Sequence, residues 1–195
     1  MLRIVENELI TKMADSVSAK DSGVVSMLQQ KNKEELKLMF DVFRRDTNTF
    51  GLIIQRMNPY ILQRGGAIVN DEANMKDPYE FTQKLLDFKA EIDDLVSYSF
   101  ANQIGFQKAR DNSFTEFMNQ QQFTPTYIAQ FSDREFRTGL KGISNDDVNR
   151  RLSAIIDLFR CLNGRDAFLK QAMKELSTRL LNKTSISSEH EELFI

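Results

Sequence analysis

The stretch DPYEFTQKLLDFKAEIDDLVSYSF, Asp77–Phe100, decides the fold class. Asp77 is the kind of residue that caps a helix by accepting from its first free N–H groups. Pro78 suits the first helical position, where a missing donor costs nothing. Phe81, Leu85, Phe88, Ile92 and Leu95 then recur at 4-3-4-3 spacing, one apolar stripe on a helix. Fewer than three heptads, with Tyr98 and Phe100 broadening the face, predict the buried side of a bundle helix rather than a coiled-coil seam.

The same grammar extends in both directions. Downstream of Asn102, Phe106, Ala109, Phe114, Phe117 and Met118 predict a helix running into a glutamine loop at 120–122. Thr124-Pro125 repeats the cap-plus-proline start, with Tyr127, Ile128 and Phe131 as the next apolar face. Gly139 and Gly142 bound a turn, and Ser144 with Asp147 forms a capping-box-like start. Val148, Leu152, Ile155, Phe159 and Leu162 give a second 4-3-4-3 stripe. Asn163-Gly164 predicts a left-handed C-cap, and Asp166 starts a last helix through Phe168, Ala172, Leu176 and Leu180. Residues 183–192 are mostly polar and are expected to fray.

Upstream, Asn32 is the expected cap of a helix carrying Leu36, Met39, Phe40 and Phe43, after a brief apolar turn from Gly23 to Leu28. Residues 49–69 read as helical, with a kink or break expected around 55–58 because Pro59 lacks a donor and crowds the previous turn. Gly65-Gly66 either ends this helix or is tolerated where a neighbouring helix packs closely. Leu2, Val5, Leu9 and Met13 predict a short first helix, linked by polar residues 15–21. The tally is seven to nine helices and no convincing strand. Short connections imply antiparallel neighbours in an all-α bundle.

Composition narrows the function. The 195 residues carry a net charge of −2, so no basic field points to nucleic acid or an anionic membrane. Arg44-Arg45 and Arg150-Arg151 each neighbour acids and read as solvated helix faces. Fifteen Phe and no Trp describe a core of rings that need no polar partner. Cys161 stands alone, which excludes an internal disulfide framework or paired-thiol chemistry. Met1–Glu8 lacks the apolar core of a signal peptide and no run approaches a membrane span. The Asn182-Lys183-Thr184 sequon is then incidental, and a cytoplasmic or nuclear site is expected.

No catalytic constellation emerges. His190, the sole histidine, sits in the run Glu189-His190-Glu191-Glu192, where adjacent side chains do not converge on one ion. Asp93-Asp94 and Asp146-Asp147 are neighbours whose side chains diverge by roughly 100° around a helix. The latter pair instead places negative charge at a helix N-terminus. Cys161 ends an apolar helix and reads as a small buried hydrophobe. Catalytic, cofactor-binding and metal-binding residues are accordingly all expected to be none.

Several motifs together resemble one family. They are Phe123–Phe131, Gly139-Leu140-Lys141-Gly142, Leu158-Phe159-Arg160 and Arg179-Leu180-Leu181, with Asp77–Phe81 leading into Leu85-Leu86-Asp87, and Ser99-Phe100-Ala101-Asn102. In this succession the chain resembles the cullins, where the last N-terminal helical repeat meets the C-terminal domain. Ser22–Leu28 followed by Met39–Phe43 is similar to the opening of the third repeat. The Gly23 and Gly142 neighbourhoods are similar to the branch that uses BTB-domain adaptors. Two departures stand out: Arg165-Asp166-Ala167-Phe168 replaces the usual Lys-Asp-x-Phe, and Pro59 interrupts a normally intact helix.

The resemblance implies an elongated antiparallel helical bundle of cullin-repeat type. Residues 1–20 would be a terminal helix and linker, 21–142 the cullin-repeat-like bundle, and 143–195 the opening helices of the next domain with a polar tail. The implied role is a non-catalytic spacer and domain junction in the scaffold of a RING ubiquitin ligase, in a fragment or short paralogue. Adaptor and RING subunits would dock outside this stretch, with no nucleic acid, membrane or cofactor. A helical tethering module unrelated to ubiquitin is the alternative reading. The open ends of the bundle, Leu2–Met13 and Phe168–Leu181, are expected to expose apolar faces.

Overall fold

The computed structural model describes residues 23–45, 49–185 and 191. Its elements in chain order are α1 (Val24–Gln29), α2 (Lys33–Phe43), α3 (Phe50–Val69), a 3-10 turn (Asn74–Lys76), α4 (Pro78–Phe100), α5 (Ile104–Met118), α6 (Thr124–Arg134), a π turn (Glu135–Gly139), α7 (Asn145–Arg160) and α8 (Arg165–Asn182). The described residues hold eight α-helices and no strand, as the all-α reading expects. The expected first helix, Leu2–Met13, lies outside the described residues.

Cap chemistry sets most of the starts. Asn32 Oδ1 accepts from the Glu35 N–H at 3.2 Å. Asp77 Oδ1 accepts from the Tyr79 N–H at 2.8 Å, with Pro78 first in α4. Ser144 Oγ accepts from the Asp147 N–H at 3.2 Å and donates its own proton to the Asp147 carboxylate at 2.6 Å. The start of α6 differs. Thr124 lies inside the helix, Phe123 holds the cap position, and the Thr124 hydroxyl is buried without a hydrogen-bond partner. Five apolar neighbours of the helix start, Pro125 and Ile128 among them, are buried, so packing fixes this terminus.

Other expectations are corrected. Val24–Gln29 is a helical turn and a half, closed by Lys31 at φ +55°, rather than a loop. Pro59 does not break α3, which runs unbroken from Phe50 to Val69. Pro59 and Gln55, the residue whose carbonyl loses its donor, both face solvent, while Ile53, Met57, Tyr60 and Ile61 are buried on the other side. Water satisfies the orphaned carbonyl and the core face holds the helix together. Gly139 belongs to the π turn, and Gly142 at φ +78° makes the bend alone. No left-handed cap forms at Asn163-Gly164; Cys161 ends α7 at φ −81° and Gly164 precedes α8 as its N-cap.

The chain forms two compact units, Met1–Arg64 with Lys89–Phe114, and Gly65–Phe88 with Thr115–Ile195. These cuts fall inside α3, α4 and α5, whereas the division expected from the resemblance lies at 142/143. In the first unit Phe40, Phe100 and Phe106 form an aromatic centre. Phe100 and Phe106 stack at 4.1 Å, and Phe40 meets both edge-on at 5.7 and 5.5 Å. In the second, Phe81 packs against Phe123 and Tyr127, and Phe88 against Phe117. Gly65 settles its two-way reading: a Cβ there would run into the Phe117 ring, so α3 and α5 touch where the glycine sits.

Candidate functional site

The groups that carry chemistry in other proteins are engaged in structure here. Asp93 and Asp94 diverge as expected: Asp93 takes Lys89 at 2.8 Å and Arg110 at 2.7 Å, while Asp94 pairs with Lys33. Asp147 is spent on the Ser144 cap and on Arg150, and these two hold its carboxyl below the ordinary aspartate value. Cys161 is buried, and its S–H lies 3.4 Å from the Asp157 carbonyl. No set of three or more His, Cys, Asp or Glu among the described residues is arranged to hold a metal ion. No helix of the described residues is long and apolar enough to cross a membrane. His190 lies outside the described residues.

What the second unit does offer is a groove between α6 and α8. The two helices pack along Ala129, Ser132 and Phe136 on one side and Phe168, Ala172 and Leu176 on the other. Small residues facing large ones leave an apolar cavity of about 280 Å³. Leu169 and Met173 form its lip and are 47% and 67% exposed; Leu180 and Leu181, further along α8, are 56% and 84% exposed. Phe168 is the only apolar residue of α8 that is fully covered. The open face expected over Phe168–Leu181 is therefore present, although Phe168 itself turns inward.

One end of the groove is closed by charge. Arg179, 5% exposed in its side chain, reaches Asp133 at 2.6 Å and both oxygens of Glu191 at 2.7 Å. Burial opposes its charge, but the carboxylates of Glu191 and Asp133 outweigh that and raise its pKa above the ordinary arginine value. Its guanidinium lies 5.0 Å from the Phe136 ring centre, and Ser185 Oγ donates to Glu191 at 2.8 Å. Glu191 is thus buried and bonded, against the expectation of fraying through residue 192. A bidentate carboxylate compensates a buried guanidinium well.

A second buried carboxylate lies beside it. Glu135 has no exposed surface, and Gly139 makes room for it, since a Cβ there would collide with its carboxylate. Tyr79 donates to one oxygen at 3.3 Å, and Arg151 stands 3.0 Å from the other without the alignment of a hydrogen bond. Burial and the Glu135 charge raise the Tyr79 pKa. Arg151 is therefore more than part of a solvated face, as first read; Arg150 and Arg44 do lie exposed, beside Asp147 and Asp41.

Sequence reasoning missed Arg179, Glu135 and Asn119. Asn119 donates to the Thr115 and Cys161 carbonyls at 2.6 and 2.9 Å and accepts from the Asn163 N–H at 2.9 Å, so it closes the end of α7. Each partner is at least 42 residues away or set by a π turn, and no local spacing announces it.

A family model for the cullin alpha solenoid domain matches residues 1–195. The chain belongs to the cullin family. Cullin-3A of Arabidopsis thaliana is 36% identical over 193 residues, which are 98% of this chain and 26% of the relative. Cullin-3 of Dictyostelium discoideum is 33% identical over 98% of this chain and 25% of its own length. Cullin-3 of Caenorhabditis elegans is 28% identical over 100% and 26%. The chain thus spans about a quarter of the length of these cullins, all three of the cullin-3 type, in line with the branch named from the Gly23 and Gly142 neighbourhoods.

Proposed function

We propose that this stretch of cullin chain serves as spacer and domain junction in the scaffold of a multisubunit RING ubiquitin ligase, without a catalytic group of its own. The observation that supports it is the cullin match over the full 195 residues, on a segment whose described ionisable groups serve caps, ion pairs and buried clamps. A scaffold works through geometry: packed helices hold a bound substrate and a ubiquitin-charged enzyme at a fixed separation, raising their effective concentration. Unbroken helices of 20 and 23 residues, α3 and α4, suit that task. BTB-type adaptors and a RING subunit would then be the partners, docking on other parts of the scaffold, in the cytoplasm or nucleus.

A chimera tests this. The matching quarter of Arabidopsis cullin-3A is replaced by this chain, and ubiquitin transfer to an adaptor-bound substrate is measured. Transfer near the parental rate is expected. A chimera that still assembles with adaptor and RING subunit yet transfers no ubiquitin would count against the spacer role. The 195-residue chain alone is expected to pull down neither partner.

A further inference from the structure

The groove between α6 and α8 is too small for a typical substrate, since ligand pockets begin at about 300 Å³. Its dimensions suit a few side chains. The buried residue at its closed end is Glu191, fixed to Arg179 through both carboxylate oxygens. The sequence continues from there as Glu192-Leu193-Phe194-Ile195, three large apolar residues in a row after a polar stretch. Residues 192–195 lie outside the described residues. Four residues reach at most about 13 Å from Glu191. Along α8 the distance from Arg179 back to Ala172 is about 10 Å at 1.5 Å per residue. The apolar triplet therefore has the length to lie over Leu176 and Ala172 and reach the lip at Met173.

We propose that Leu193, Phe194 and Ile195 fill this groove, with the Arg179–Glu191 pair as the latch that sets their register. Chemistry on both sides agrees. The groove wall is Phe136, Phe168 and Leu176 over the small floor of Ala129 and Ala172, so it accepts rings and branched side chains. Arg179 shares its charge between Asp133 and Glu191, which anchors the segment beside the groove at a fixed point. The inference concerns the fold of this chain and stands whether or not the ligase role holds.

The chain has no tryptophan, so Phe194→Trp in the 195-residue protein introduces a single indole as reporter. Its emission is expected to be blue-shifted, weakly quenched by acrylamide and independent of protein concentration. Adding Met173→Glu at the exposed lip should shift the emission red and raise quenching at least twofold. Glu191→Gln should raise quenching by loosening the latch. Leu38→Glu, on an exposed position of α2 in the other unit, should change nothing. Far-UV circular dichroism on each variant confirms retained helix. An indole as exposed as in urea overturns the proposal, and so does a blue-shifted one that ignores Met173→Glu. Blue emission that fades on dilution also overturns it and assigns the groove to a second copy.

Discussion

Helices α4 and α8 carry the same kind of apolar row and meet different fates. In α4, Phe81, Leu85, Phe88, Ile92 and Leu95 are all 4% exposed or less. In α8, Phe168 is covered while Leu169, Met173 and Leu180 remain 47–67% exposed. Periodicity tells where a helix turns its apolar side. It does not tell whether a neighbour arrives to cover it. Core energetics should follow the neighbour rather than the pattern.

The largest expected contrast is between Phe106→Ala and Met173→Ser. Phe106 is fully buried between Phe40 and Phe100, and its loss should cost about 3–5 kcal/mol through cavity formation. At about 2–4 °C per kcal/mol for a chain of this size, the melting temperature should fall by about 10 °C or more. Met173→Ser should stay within about 0.5 kcal/mol, as exposed substitutions do. Equal losses would erase the distinction between closed and open faces.

The glycine pair in α3 sharpens the same point inside one helix. Gly65→Ala drives a methyl group into the Phe117 ring and should destabilise by about 1–3 kcal/mol. At Gly66 an added Cβ meets nothing within 4 Å, so Gly66→Ala should stabilise by about 0.5–1 kcal/mol through helix propensity. Urea unfolding of the two variants gives opposite signs if α5 packs on α3 as described.

Phe159 comes next. Its ring lies 4.9 Å from Phe168 with Arg165 over it at 5.6 Å, but it is only half-buried. Phe159→Ala should therefore cost about 1–2 kcal/mol, less than a fully buried ring. A melt as depressed as that of Phe106→Ala would mean that the apolar row of α7 is covered more fully than its exposure indicates.

The sequence made the helices legible and left their neighbours obscure, for physical reasons. Asn32, Asp77 and Ser144 act within three residues of themselves, so their caps read directly from local order. The 4-3-4-3 row over 148–162 was placed correctly up to Ile155, then the helix's 3.6-residue turn brings Leu158, not Phe159, fully inside. Pro59 and Thr124 follow local rules that tertiary burial overrode. Arg179 and Glu135 were illegible because a charged residue reads as surface, and only the chain's return path shows that their partners are buried with them.

A smaller effect is expected from the charge cluster of the first unit. Glu91 bonds Arg64 and stands 2.8 Å from Lys31. Burial pushes its carboxyl up, but Arg64 and then Lys31 outweigh this and hold it below the ordinary glutamate value. The folded protein thus binds fewer protons at Glu91 than the unfolded chain does. Its contribution is full above the unfolded value and is lost as pH falls through the folded one. Urea midpoints from neutral to acidic pH should fall less steeply for Glu91→Gln than for the parent, and parallel curves would remove Glu91 from the account.

Native-state hydrogen exchange tests the closed-versus-open distinction most directly. Amides from Leu85 to Leu95 in α4 should exchange only through global unfolding, whereas those from Met173 to Leu181 in α8 should exchange through local opening at markedly lower free energy. Equal protection along both helices would contradict the account, because it would mean that α8 is as fully held by its neighbours as α4.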